Sequence, residues 1–196
     1  MGATALYTFC NFCFLLYYLS VSLRNASHSN FNIIPSNGEP GSFWENRGDR
    51  FHCGVDMYAP LGFKVVAIED GEVISVGKFT ATGLITYWNN TNYILVKNSN
   101  GLYYKYAEIH KVQVSENQLI KAGDVIAEVA QVLNADNINS SSPEYIQKLK
   151  NKNTSMLHFE VYSKDPIITH KNYLAGNWFG KEKPENLLDP KLFINA

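Results

Sequence analysis

Cysteine is scarce in this chain of 196 residues: there are three, at positions 10, 13 and 53. Cys10 and Cys13 stand in an apolar leader, so removal of that leader leaves Cys53 alone and excludes an internal disulfide. The fold must then rest on its hydrophobic core, for which 45% hydrophobic and 13% aromatic residues suffice. An excess of charge is lacking too. Seventeen Lys and Arg stand against eighteen Asp and Glu, for a formal net charge of −1. This leaves no support for a nucleic acid or another polyanion as partner, since such binding relies on a basic stripe.

What is present begins with Ala5 to Leu23, mostly apolar and uncharged before Arg24. Such a segment is a secretory signal or an N-terminal membrane anchor. Ser20-Val21-Ser22 offers a small-x-small cleavage pattern, which favours export to the cell envelope, the periplasm or the medium over a retained anchor. Only an uncleaved leader would bring the chain to a membrane. Leu6 stands where a myristoylation signal needs Ser or Thr. Residues 24–42, rich in Asn, Ser, Gly and Pro, read as a linker or surface arm. The single domain expected is 43–196.

From Phe63 onward the pattern is β. Lys64–Ile68 is short and β-branched, Asp70-Gly71 is a hairpin signal, and Glu72–Val76 alternates polar and apolar. Tyr93–Lys97 and Leu102–Ile109 flank Asn98-Ser99-Asn100-Gly101 and are expected to pair antiparallel. Regular alternation would put Tyr104, Tyr106, Glu108 and His110 on one face. Between Asn134 and Thr154 a short helix is expected, capped by Ser142 with Pro143 at its first position and running to Lys150. The fold class is mostly β, an antiparallel sheet core with long loops and one short helix in an insertion.

Two stretches carry chemistry. In Arg50-Phe51-His52-Cys53-Gly54-Val55-Asp56, alternation puts His52, Gly54 and Asp56 on one side and points Cys53 the other way. In Met156-Leu157-His158-Phe159-Glu160-Val161, His158 and Glu160 share the polar face. If the two strands are neighbours, two imidazoles and one carboxylate converge. That set, with a position left to water, suits catalytic zinc.

Arg50 to Asp56, Ala67 to Gly71, Lys121 to Ile126 and Leu157-His158-Phe159-Glu160 together resemble the ordered motifs of the lysostaphin/LytM-type zinc endopeptidases, which cleave peptidoglycan. The resemblance covers about residues 43 to 193. It implies a sheet core of the duplicated-hybrid, barrel-sandwich type. It also implies a zinc site made by His52, Asp56 and His158, and hydrolysis of a peptide bond in cross-bridges or stems. Two family histidines are replaced. The first of the H-x-H motif falls on Met156, and that of Tyr-x-His falls on Glu108. A thioether donates no proton, so Met156 inherits no catalytic role. Glu108 is then the expected proton acceptor, Glu160 the residue that orients a ligand imidazole, and His110 an auxiliary imidazole if its strand runs on. The alternative is a catalytically impaired zinc-binding domain that recognises cell-wall glycopeptide or a protein partner.

Overall fold

The computed structural model describes residues 34–164, 166 and 168–194. Residues 1–33, on which the expected leader and the first part of the expected arm fall, lie outside the described residues. Among the described residues no helix is long and apolar enough to cross a membrane.

The central strands are those whose alternation is most regular. They are β4 (Gly71–Thr80), β5 (Thr91–Asn98), β6 (Tyr103–His110) and β9 (Met156–Tyr162). Ile94 and Val96 of β5, Tyr104 and Tyr106 of β6, and Phe159 and Val161 of β9 turn one face of each strand into a shared core. Each such side chain contributes roughly 1.5–3 kcal/mol by leaving water. Shorter strands are added at the edges: β2 (Val55–Tyr58) on β9, β3 (Lys64–Val66) on β8 (Val125–Val129), β7 (Leu119–Ile120) on β4, and β12 (Leu187–Leu188) on the far side of β9. All pairings are antiparallel. The result is a nine-stranded sheet that branches at β6 and β9 and does not close into a barrel. A separate three-stranded sheet orders β1 (Phe51–His52), β11 (Asn177–Trp178) and β10 (Tyr173–Leu174).

Several sequence expectations change on folding. The β5–β6 hairpin forms around Asn98–Gly101 as expected. Asp70-Gly71 makes no hairpin, because β3 pairs with β8 rather than β4, and the Asp70 carboxylate instead accepts from Ala122 N and Lys121 Nζ. The insertion helix α1 spans only Glu144–Gln147. The Ser142 hydroxyl, expected to cap it, accepts from Asn139 N, and Pro143 precedes the helix without a side-chain cap. A second single-turn helix, α2 (Lys191–Ile194), packs Phe193 and Ile194 onto the main core.

The shared face expected for Tyr104, Tyr106, Glu108 and His110 is broken by a β-bulge. Ala107 lies opposite Tyr93 and Ile109 opposite Asn92, so Glu108 is the extra residue, with φ +58°. One added residue inverts the alternation beyond it. Tyr104, Tyr106 and Ile109 therefore enter the core, and Glu108 does not follow them.

Candidate metal centre

Strand pairing assembles the site. Asp56 of β2 lies directly across from His158 of β9, with Tyr58 across from Met156. The chain leaves β2 at Cys53-Gly54 to join the second sheet, and this carries His52 over the same face. The three ligand atoms converge: His52 Nε2 lies 3.0 Å from His158 Nδ1 and 3.1 Å from Asp56 Oδ1, and His158 Nδ1 lies 2.8 Å from Asp56 Oδ1. All three side chains are buried.

The remaining nitrogens set the tautomers. His52 Nδ1 points at the Ser42 carbonyl at 2.9 Å, and His158 Nε2 at Glu160 Oε1 at 2.7 Å. Each ring gives its N–H to an acceptor and turns its lone-pair nitrogen to the common point. Three acceptors this close require a cation or a proton among them. Without a metal the proton serves: although burial works against it, hydrogen bonds with Asp56 and Glu160 push His158 up to about 9. Asp56 is held well below the usual carboxylate range, burial being outweighed by the two histidines.

The donor set also suits zinc. Ligand atoms at roughly 2.0–2.1 Å and tetrahedral angles sit roughly 3.3–3.4 Å apart. The observed edges of 2.8–3.1 Å lie within about half an ångström of that spacing.

Close backbone approach encloses the ligands. A Cβ on Gly54 would lie 2.9 Å from His158 Cε1, and one on Gly176, where φ is +76°, only 2.6 Å from the same atom. Gly41, at φ +83°, stands equally near the Asp56 side chain, and its carbonyl accepts from Asp56 N at 2.8 Å. Residues 41 and 42 are thus part of the site, not the end of a surface arm. Behind His158, Glu160 receives the hydroxyls of Tyr162 and Tyr173 and lies 3.4 Å from Lys105 Nζ. Lys105 is 1% exposed and Glu160 0%. Despite its burial Glu160 stays well below the usual carboxylate range, held there by Lys105 and His158. Phe79 stacks on the His158 ring at 5.4 Å.

The ligands line a cavity of about 1000 Å³. Glu108 also lines it, and its Oε2 is buried with no hydrogen-bond partner. Burial first, then the Asp56 charge, raises Glu108 to about 8. Met156 lines the cavity as well. His110 does not reach it: its Nε2 lies 3.5 Å from Glu128 Oε2 at the β6–β8 junction. Cys53 is buried on the opposite side with Tyr162, Trp178 and Leu187, and burial raises its thiol far above its ordinary range.

Comparison with known proteins gives the family. The family model for peptidase family M23 matches residues 50–169. The chain belongs to peptidase family M23. Among curated proteins it is similar to the peptidoglycan DD-endopeptidase ShyB of Vibrio cholerae, 32% identical over 76 residues. That match covers 39% of this chain and 16% of the relative. Among solved structures it resembles the catalytic domain of the antimicrobial peptidase lysostaphin from Staphylococcus simulans, with a TM-score of 0.51 at 18% identity over 81% of this chain and 91% of that one. Full-length lysostaphin matches with the same TM-score over 85% of this chain and 50% of its own. At that identity the likeness is one of fold, and it agrees with the mostly antiparallel sheet of this M23 chain.

Sequence reasoning missed some of the M23 site. Arg47 Nη2 bonds Asp56 Oδ2 at 3.2 Å while its Nε bonds Glu45. No local pattern marks it, because it acts from an irregular loop. Lys105 was invisible for another reason: only the register that sets it opposite Glu160 gives it a role. Tyr58, two residues after Asp56, was legible by alternation alone.

Proposed function

We propose that this M23 protein is a zinc-dependent endopeptidase that hydrolyses peptide bonds of peptidoglycan, in a cross-bridge or a stem peptide. The observation that carries the reading is the convergence of His52 Nε2, Asp56 Oδ1 and His158 Nδ1 within 3.1 Å on the wall of a cavity that Glu108 shares. That the relative from Vibrio cholerae is a peptidoglycan DD-endopeptidase supports the substrate class. The chain spans only 16% of that relative's length, so the substrate class rests on the site together with the family.

Zinc held by His52, Asp56 and His158 would polarise the scissile carbonyl and lower the pKa of a water toward about 7. The protein's own groups do the rest. Glu108 takes the proton of the attacking water at a carboxylate oxygen and returns it to the leaving amine. Burial and the Asp56 charge raise Glu108 above the usual carboxylate range, which favours its holding the proton between uptake from the water and release to the amine. Glu160 fixes the His158 tautomer, and Arg47 holds the second oxygen of Asp56. Export, by way of the apolar segment ending near Leu23, would bring such an enzyme to its substrate.

Met156 favours a second reading, a domain that binds wall glycopeptide with little hydrolysis, because a thioether stands where the family has a histidine. One experiment separates the two. Purified zinc-loaded protein is incubated with peptidoglycan, and products are counted for wild type, Glu108→Gln and His158→Ala. The endopeptidase reading expects Glu108→Gln to keep its zinc and lose about 10²–10⁴-fold in rate, and His158→Ala to lose both. Tight binding without products from wild type establishes the binding domain instead.

A further inference from the structure

With Met156 and Glu108 at the positions of two family histidines, and Glu108 occupied with the proton of the water, the oxyanion calls for another donor, and the strand pairing shows what stands close by. Tyr58 is the direct cross-strand partner of Met156, two pairs along from Asp56 and His158 and so on the same face. Such partners have Cβ atoms roughly 4.5–5.5 Å apart and extend from the same face. Tyr58 therefore rises beside the position the missing histidine would occupy. Its side chain lines the same cavity as His52, Asp56, Glu108 and His158.

Two further facts bear on what the phenol can do. Its hydroxyl has no hydrogen-bond partner among the described residues, in contrast to Tyr104, Tyr162 and Tyr173, whose hydroxyls are all engaged. Tyr58 is 40% exposed, so its O–H is open to a ligand in the cavity.

We propose that Tyr58 is a catalytic residue, whose O–H donates a hydrogen bond to the substrate carbonyl oxygen as that oxygen gains negative charge. The proposal rests on the endopeptidase reading for its reaction but not for its geometry. Glu108 handles the proton of the attacking water, and Tyr58 keeps its own proton throughout, so the two roles divide between the group in one histidine's place and the group beside the other's. A donor aimed where charge develops contributes in the transition state and little in the ground state.

The test is Tyr58→Phe, which deletes one oxygen from a partly exposed side chain and leaves the fold intact. Turnover of soluble cross-linked muropeptides by the zinc-loaded full chain is measured together with the affinity for a phosphinic Ala–Ala pseudopeptide, whose tetrahedral oxygens mimic the charged state. The expected result is a kcat lower by about 10²–10³-fold, KM within about threefold, unchanged zinc content, and a parallel loss of phosphinate affinity. A kcat within about threefold of wild type, or a loss confined to KM, overturns the proposal. If wild type proves inactive, the endopeptidase reading fails, and Tyr58 is then judged on the phosphinate: equal binding by wild type and Tyr58→Phe overturns it. A wild type that neither turns over nor binds the phosphinate overturns both.

Discussion

At the scale of single residues, the site is a matter of which atom of each ring is free. His52 and His158 present different nitrogens, Nε2 and Nδ1, because their neighbours differ: a backbone carbonyl takes one N–H and the Glu160 carboxylate the other. The rings can be held this closely because glycines stand against them. At Gly176 a methyl group would overlap His158 Cε1 and Nε2, and the left-handed backbone adds strain. We expect Gly176→Ala to weaken zinc binding by about 10–100-fold, the scale found when a ligand's supporting contacts are disturbed, with a chelator competition assay as the measure. Affinity equal to wild type would mean that the β10–β11 turn yields without moving the ring. Alternation was enough to pair His52 with Asp56 and His158 with Glu160 in advance. It could not find Lys105 or Arg47, whose partners are 55 and 9 residues away and are met only through register and loop path.

At the scale of elements, a bulge and an insertion decide access. The bulge at Glu108 is the reason a carboxylate leaves the tyrosine-lined core face and joins the cavity. Unbroken alternation would have buried it among Tyr104 and Tyr106. It also separates Glu108 from His110, which ends beside Glu128. The insertion does not rest on helix propensity, since four residues are too few for a stable helix alone. Instead Ile138 and Ile146 pack with Val132 and Leu133, and Trp88 covers them. This small core holds Pro143, Tyr145 and Leu149 along the cavity opposite the ligands' strands. Replacing residues 140–151 by a short Gly-Ser linker should therefore change peptide affinity and selectivity while leaving zinc content at one ion per chain, as read by metal analysis and titration calorimetry. Loss of zinc in that variant would show that the insertion supports the ligands as well.

At the scale of the whole molecule, charge ties the outer strands together. Glu128 of β8 meets Lys64 of β3 at 2.6 Å and Lys111, just past β6, at 2.8 Å. Hydrogen bonds from Lys111 and Lys64 lower it from 4.5 to about 2. A carboxyl depressed in the folded state binds fewer protons there than when unfolded. Its stabilisation is thus complete above about pH 4.5 and fades as pH falls toward about 2. Urea midpoints measured from pH 5 to pH 2.5 should fall less steeply in Glu128→Gln than in wild type. Parallel curves would assign acid sensitivity to other carboxylates.

The amino-acid order by itself determined much of the strand content, the hairpin at Asn98–Gly101 and the candidacy of His52, Asp56 and His158 as metal ligands, because period-two alternation and turn chemistry are local properties. It also placed Met156 and Glu108 where the resemblance to the family implies histidines, since that is a matter of identity alone. What only the tertiary structure decided was direction and company: the bulge that turns Glu108 outward, the register that sets Tyr58 beside Met156 and Lys105 beside Glu160, and the folding of Gly41 and Ser42 into the site. These depend on which strands become neighbours and by how many residues they are offset. Pairing energy over distant segments sets that offset, and no short stretch of sequence contains it.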